Sequence, residues 1–76
     1  MERLLEFLAR SLVDSPDGVS VTAAEEDDAL VLELLVADDD AGQLIGRRGR
    51  TISALRTVIR AVGASQDRRV LVDLVD

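Results

Sequence analysis

The chain has 76 residues, of which 47% are hydrophobic and 32% charged, and its formal net charge is −6. This length predicts one domain with a modest core, over residues 1–76. Cysteine and histidine are absent from the sequence, which excludes a disulfide framework, thiolate chemistry and the commonest general base and metal ligand. We therefore expect no bound metal and no cofactor.

The first residues predict no targeting segment. Glu6 and Arg10 interrupt the apolar positions of the N-terminal stretch, and no signal-type cleavage site follows a long apolar run. The longest apolar stretch, residues 29–37, contains Glu33 and is too short to span a bilayer. We expect a cytoplasmic protein without membrane association.

Residues 2–13 predict an amphipathic helix. Its leucines recur at spacings of three and four along one face; they are Leu4, Leu5, Leu8 and Leu12. Residues 14–18 contain Pro16 and Gly18, which predict a turn that ends this helix. Alternating apolar residues at 19–23 then predict a short, half-buried strand.

Two acidic clusters flank the next strand. Residues 25–28 are all acidic and predict a solvated turn, whereas residues 30–36 predict a strand covered well enough to be central in a sheet. Residues 38–40 are three aspartates, which favour a helix N-terminus because acids stabilise its dipole and cap free amides. A metal site is the less favoured alternative for these carboxylates. A short helix from about residue 41 to 45 follows.

The remainder of the chain predicts a long helix and a final strand. Apolar residues at spacings of three and four predict a helix from near residue 50 to between residues 63 and 66; they are Ile52, Leu55, Ile59 and Val62. Alternation predicts a strand over residues 70–75. The order α-β-β-α-α-β predicts an α+β domain, with a three-stranded sheet and helices packed on one face.

Positive charge is concentrated around the turn between the last two helices. Residues 41–66 hold five arginines and no acid, whereas residues 1–40 hold twelve acids and two arginines. The turn itself is Gly46, Arg47, Arg48 and Gly49. One interpretation is structural: Gly46 caps a helix, Gly49 closes a tight connection and the arginines are ordinary surface residues.

The other interpretation is a binding site for a phosphate backbone. Glycine lets a ligand approach the main chain closely, and the following helix begins with free amides that favour an anion. Guanidinium groups bind phosphate oxygens. Arg50, Arg56 and Arg60 extend the basic surface along the helix, the last two on one face. The glycine spacing fits neither the Walker A loop nor the dinucleotide-binding fingerprint.

Residues 44–52, LIGRRGRTI, resemble the I-G-x-x-G-x-x-I core of a KH domain. The element order resembles the type II version of that domain, and the resemblance to small single-KH proteins of the KhpA (YlqC) type covers essentially the whole chain. It implies a loop that holds the backbone of about four nucleotides of single-stranded RNA, with residues 30–36 as the opposite wall. With the basic track, the expected RNA-binding residues are Ile45, Gly46, Arg47, Arg48, Gly49, Arg50, Ile52 and Arg56.

The resemblance also implies partners and a role. Proteins of this type are expected to form homodimers and to form heterodimers with a larger KH-R3H protein of the KhpB type. They are expected to act as RNA chaperones or post-transcriptional regulators, with links to cell shape. Because the one aromatic residue, Phe7, lies in the first predicted helix, we expect weak RNA binding by a single copy, without aromatic stacking.

Two other functions stay open. The net negative charge is consistent with a protein-interaction adaptor that has kept the KH fold. Val58 and Val62, apolar residues of the long helix that could contact a partner, are consistent with the same function. An enzyme would need a carboxylate pair or a metal, and it is disfavoured because the acids lie in segments predicted to be exposed. Ile45, Ile52 and Leu55 also have an interpretation as plain core residues, which we favour for Leu55.

Overall fold

The computed structural model describes residues 1–46 and 49–75. The helices are α1 (Glu2–Leu12), α2 (Asp38–Ile45) and α3 (Arg50–Ser65), and the strands are β1 (Ser20–Glu26), β2 (Ala29–Leu35) and β3 (Arg69–Val75). A short 3-10 helix, Pro16–Gly18, follows α1. The predicted order α-β-β-α-α-β is confirmed. Within the described residues, no helix combines the length and the apolar character needed to cross a membrane.

The strands form one mixed sheet in the order β1-β2-β3. β1 and β2 are antiparallel because a tight turn joins them. β2 and β3 are parallel because α2 and α3 carry the chain back to the starting end of the sheet. β2 is therefore the central strand, as its apolar pattern predicted, and β1 and β3 are the edges.

Alternate strand residues and one face of each helix form the core. Its buried members include Leu5, Ala9, Leu32, Leu34, Ala41, Leu44, Ile52, Leu55, Ile59, Val70 and Val72. Because the inward-pointing strand residues all meet helices, the helices lie on one face of the sheet, as predicted. Leu12, predicted on the buried face of α1, is instead 45% exposed. It is the last residue of α1, and Ala9 is the buried residue that the leucine pattern missed.

The acidic turn between β1 and β2 is shorter than predicted. Glu25 and Glu26 lie in β1, where they pair with Leu30 and Ala29, so that only Asp27 and Asp28 form the turn. Both aspartates have positive φ, 47° and 66°, which two-residue hairpin turns require at their central positions. The backbone hydrogen bonds between β1 and β2 continue up to this turn, and their stabilising effect outweighs the low strand propensity of glutamate.

Asp40 connects α2 to the end of α1. The helix begins at Asp38, three residues earlier than predicted, and no aspartate side chain caps it. Asp40 is 2% exposed, and its carboxylate accepts hydrogen bonds from the amides of Asp14 (3.2 Å) and Ser15 (3.0 Å). The capping role predicted for the aspartates is therefore wrong, since this carboxylate satisfies a loop that is distant in sequence. Among the described residues, the acids form no group suited to a metal.

Gly63 allows α3 to approach β3 closely. A Cβ at this position would lie 2.7 Å from Val70 Cγ2 and 2.9 Å from the carbonyl oxygen of Arg68. The second contact is with backbone, so a rotamer change alone cannot relieve it. The amide of Arg68 also donates a 2.8 Å hydrogen bond to the carbonyl of Gly63, which ties the end of α3 to the start of β3.

We expect Gly63→Ala to lower the free energy of unfolding by about 1–2 kcal/mol. Overpacking costs about 1–3 kcal/mol and the gain in helix propensity returns up to about 1 kcal/mol. Gly42→Ala is the matched control, because Gly42 lies within α2 and its Cβ would meet no described atom within 4 Å. The control should raise stability by about 1 kcal/mol. Urea denaturation of both variants measures the difference, and equal effects would show that the α3–β3 contact is not tight.

Candidate nucleic-acid interface

Gly46 ends α2 in a conformation that only glycine adopts without strain. Its φ of 64° and ψ of −168° lie in a region essentially restricted to glycine. A Cβ at this position would also lie 2.6 Å from Thr51 Oγ1. Both the backbone geometry and the contact with α3 therefore require glycine here.

Gly49 has a different role at the start of α3. It is the residue before the first helical turn, with a left-handed φ of 70° and ψ of 18°. A Cβ built on Gly49 meets no described atom within 4 Å apart from its chain neighbours. The space that this Cβ would occupy is therefore free of described atoms, and a ligand backbone can approach the main chain there.

The first turn of α3 presents backbone amides that no side chain of the described residues caps. No cap hydrogen bond is made at Gly49, and the turn contains no acidic residue, whereas the first turn of α2 contains three aspartates. The first residue of α3 is Arg50, which is exposed and lies at the positive end of the helix dipole, where a cation is unfavourable. An anion bound at this end would interact favourably with the amides, the dipole and Arg50 together.

Arg56 lies further along α3 and is held against the edge of the sheet. Its Nε donates a 3.1 Å hydrogen bond to the carbonyl oxygen of Val72 in β3. The segment at residues 30–36, predicted as the opposite wall, is the central strand and is paired on both sides, and its role as a wall stays a prediction. The strand beside Arg56 is β3, an assignment that depends on strand order and not on any local pattern.

Of the two isoleucines predicted at the site, one is buried and one is exposed. Ile52 is 6% exposed and belongs to the core, whereas Ile45, the last residue of α2, is 43% exposed. Leu55, for which a core role was favoured, is 4% exposed, which confirms that role. Ile45 is thus the apolar surface residue next to Gly46.

The structure brings three of the relevant residues to the start of α3 and two more to one side of that helix. These are Gly46, Gly49, Arg50, Arg56 and Arg60, and we call them the basic flank. Arg50 and Arg60 are exposed and Arg56 is half-buried; Arg56 and Arg60 are one turn apart on the same side. Arg47 and Arg48, predicted between the two glycines, lie outside the described residues.

The other side of α3 borders an apolar groove against α1. The groove has a volume of about 340 Å³ and is lined by Leu8, Leu12, Arg50, Thr51, Ala54, Leu55 and Val58. Val58 is 44% exposed, whereas Val62, the other spare apolar residue, is half-buried. The sequence signalled this groove only through Val58, since its other wall depends on how α1 packs on α3. We call it the α1–α3 groove.

Comparisons with known proteins agree with one another. The family profile described as KhpA/KhpB, KH domain, matches residues 2–74. The RNA-binding protein KhpA of Streptomyces coelicolor is 49% identical over 76 residues, which cover 100% of this chain and 92% of that protein. The RNA-binding protein KhpA of Clostridium acetobutylicum is 44% identical over 75 residues, or 99% of this chain and 100% of that protein. No solved structure gives a significant match.

The mixed sheet, the element order and the glycine turn between two helices are those of a KH domain with the type II order. With a matching profile over nearly all of its length and relatives above 40% identity, the chain belongs to the KhpA/KhpB family of KH domains. The family resemblance of residues 44–52 is thereby confirmed.

The two glycines of the turn should respond differently to substitution. Gly46→Ala should destabilise the protein by about 1–3 kcal/mol, because it imposes backbone strain and a contact with Thr51. Gly49→Asn should cost less than about 1 kcal/mol, because asparagine tolerates the left-handed region and the space there is open. Thermal denaturation of the two variants tests this order, and an equal loss of stability would contradict the separate roles.

Proposed function

We propose that this protein binds single-stranded RNA through the turn at residues 46–49 and the basic flank. The observation that carries the proposal is the open side of Gly49 directly before the uncapped amides of α3. The RNA-binding names of its relatives support the same class of ligand. We further propose a single KH domain over residues 1–76 that acts in the cytoplasm, without a catalytic step, as an RNA chaperone or post-transcriptional regulator.

In this proposal the RNA backbone lies against the turn and its phosphates meet the amides at the start of α3. Arg50 and the arginine pair Arg47 and Arg48 bind phosphate oxygens, since guanidinium groups do so bidentately. The Nε of Arg56 donates its hydrogen bond to the carbonyl oxygen of Val72, and its two terminal nitrogens can therefore donate to RNA beside β3. Ile45 offers an apolar contact to a base or ribose.

The composition predicts that affinity depends on phosphates more than on stacking. Phe7, the one aromatic residue in the sequence, lies in α1 and not on the basic flank. Binding without aromatic stacking forgoes about 1–3 kcal/mol per base that stacking would supply. We therefore propose weak binding by a single copy, with marked salt dependence and a large gain when two copies act on one RNA.

Reversing the charge of the arginine pair tests the RNA site. Arg47→Asp/Arg48→Asp should reduce affinity for a single-stranded RNA oligonucleotide by at least tenfold, because it removes two cations and adds two repelling charges. The matched control is Arg3→Asp/Arg10→Asp, which changes the net charge equally on α1. Fluorescence anisotropy over a salt series should also show a shallower slope of log affinity against log salt, by about 0.7 for each phosphate that the variant no longer neutralises.

Gly49→Asn separates backbone approach from charge. It keeps every arginine but fills the open side of Gly49, so RNA affinity should fall while the protein stays folded. If the control weakens binding as much as the charge reversal of the turn, or if Gly49→Asn leaves binding unchanged, RNA is not held at this turn.

We also propose that the α1–α3 groove binds a protein partner. The exposed apolar residues Leu12 and Val58 on opposite walls favour this candidate. The family description names KhpA and KhpB together, which makes a KhpB-type KH-R3H protein the proposed heterodimer partner, with a homodimer as the alternative. An adaptor that binds little RNA would depend on the same groove.

Val58→Asp should abolish binding to a purified KhpB-type partner, because it places a charge in the apolar groove. Ala61→Asp on the exposed side of α3 is the matched control and should have no effect. Affinity measurements with the partner and sedimentation analysis of the protein alone distinguish the heterodimer from the homodimer. Unchanged partner binding and unchanged oligomeric state in Val58→Asp would place the interface elsewhere.

A further inference from the structure

The face of the sheet opposite the helices is uncovered in the described part of the chain. Strand residues that point away from the helices do not belong to the hydrophobic core cluster or to the apolar side chains packed on it, although Ala29 among them is itself buried. In register across β1, β2 and β3, the outward rows are Glu26–Ala29–Arg69, Ala24–Val31–Leu71, Thr22–Glu33–Asp73 and Ser20–Leu35–Val75. We call this surface the open face.

Two of its rows are apolar, apart from Ser20 at the end of one of them. Leu71 is 41% exposed, Leu35 47% and Val75 36%, and Val31 beside Leu71 is half-buried. A charged or polar face is the usual outcome when one side of a sheet meets water. Here an apolar row lies on each side of the row that contains Glu33 and Asp73.

The row between them carries a like-charged pair. Glu33 in β2 is in register with Asp73 in β3, both side chains are exposed, and neighbouring strands lie about 4.8 Å apart. The described ion pairs join Arg10 to Glu6 and Arg68 to Glu25, so neither acid has a cation there. Arg69, the one base on the open face, borders a depression together with Glu26 and Asp27. The pair therefore repels in the free protein, and a cation from outside would relieve it.

Charge decides which occupant fits. Two copies of the open face would bring together the acids Glu26, Glu33 and Asp73 of each against one arginine each, so self-association is opposed. RNA is repelled by the same acids. A ligand with one cation between apolar side chains is complementary to this surface, because the cation meets the acidic row and its neighbours meet the apolar rows. Each apolar row lies two residues along the strands from the acidic row, or about 6–7 Å away.

We propose that the open face binds a basic protein segment that places an arginine or lysine between Glu33 and Asp73 and apolar side chains over the flanking rows. This surface lies on the side of the sheet away from α3. It is therefore independent of the basic flank and of the α1–α3 groove.

The probe is a capped synthetic strand peptide whose alternate side chains are leucine, arginine and leucine, used with the full chain. Its control is the same peptide with citrulline in place of arginine, which keeps the shape and removes the charge. The arginine peptide should shift amide resonances of β2 and β3 in heteronuclear NMR spectra. The citrulline peptide should bind about fivefold more weakly, the effect of losing a partly solvated ion pair.

Variants of the protein provide the reciprocal test. Glu33→Gln/Asp73→Asn should weaken the arginine peptide about fivefold and should raise the melting temperature of the free protein, because it removes the repulsion. Glu2→Gln/Asp17→Asn neutralises two exposed acids elsewhere and should leave peptide affinity unchanged. Leu71→Thr, which keeps a strand-compatible side chain, should also weaken the peptide.

Three results would overturn the proposal. The first is equal affinity for the arginine and citrulline peptides or for the two double variants. The second is resonance shifts confined to the α1–α3 groove or the basic flank. The third is self-association of the unaltered protein with resonance shifts on the open face, which would make the occupant a second copy.

Discussion

The close packing of α3 on β3 is the constraint on which the candidate site depends. Gly63 lets the last turns of α3 approach the backbone at Arg68, and Ile52 and Ile59 bury the same side of the helix. A helix is rigid over a length of about 20 Å, so contacts near its end also orient its first turn. The amides after Gly49 therefore point in a direction set by the core and not by the turn alone.

The fold places acidic and basic residues on different surfaces, which the net charge alone does not reveal. A net charge of −6 would disfavour nucleic acid if it were spread evenly, because the bulk field repels phosphate. Arg50 lies at the start of α3 and Arg56 and Arg60 lie on one side of it, whereas acids occupy the β1–β2 turn, the first turn of α2 and the open face. At distances beyond about 8–10 Å salt screens exposed charges, so the local charge around the turn determines which ligand binds there.

Three surfaces of this small domain differ in chemistry and direction. The basic flank suits a phosphate backbone, the α1–α3 groove suits an apolar partner surface, and the open face suits a basic segment between apolar rows. A domain of this size makes few phosphate contacts by itself, so partners that hold several copies near one RNA would multiply its affinity. In the function proposed above, the protein contacts and the RNA contact are parts of one mechanism, although each surface is defined by its own residues.

The sequence by itself determined the elements, their order and the position of the glycine turn. Periodicity recovers these features because helices and strands repeat their side-chain directions over a few residues, and the two glycines are recognisable because they flank an arginine pair between helices. It also determined the family, through residues 44–52. Ile45 and Ile52 looked equivalent in this pattern, yet one is exposed and the other is core.

Only the tertiary structure decided which distant residues meet. It placed β3 and not β2 beside Arg56, and it directed the carboxylate of Asp40 towards the loop after α1. It also placed Leu12 and Val58 on opposite walls of one groove and aligned Glu33 with Asp73. Each of these pairings joins residues from separate elements, and strand order and helix packing set them through the burial of the whole core. Local patterns carry no information about such pairings, because the same periodicity is compatible with several ways of packing the same elements.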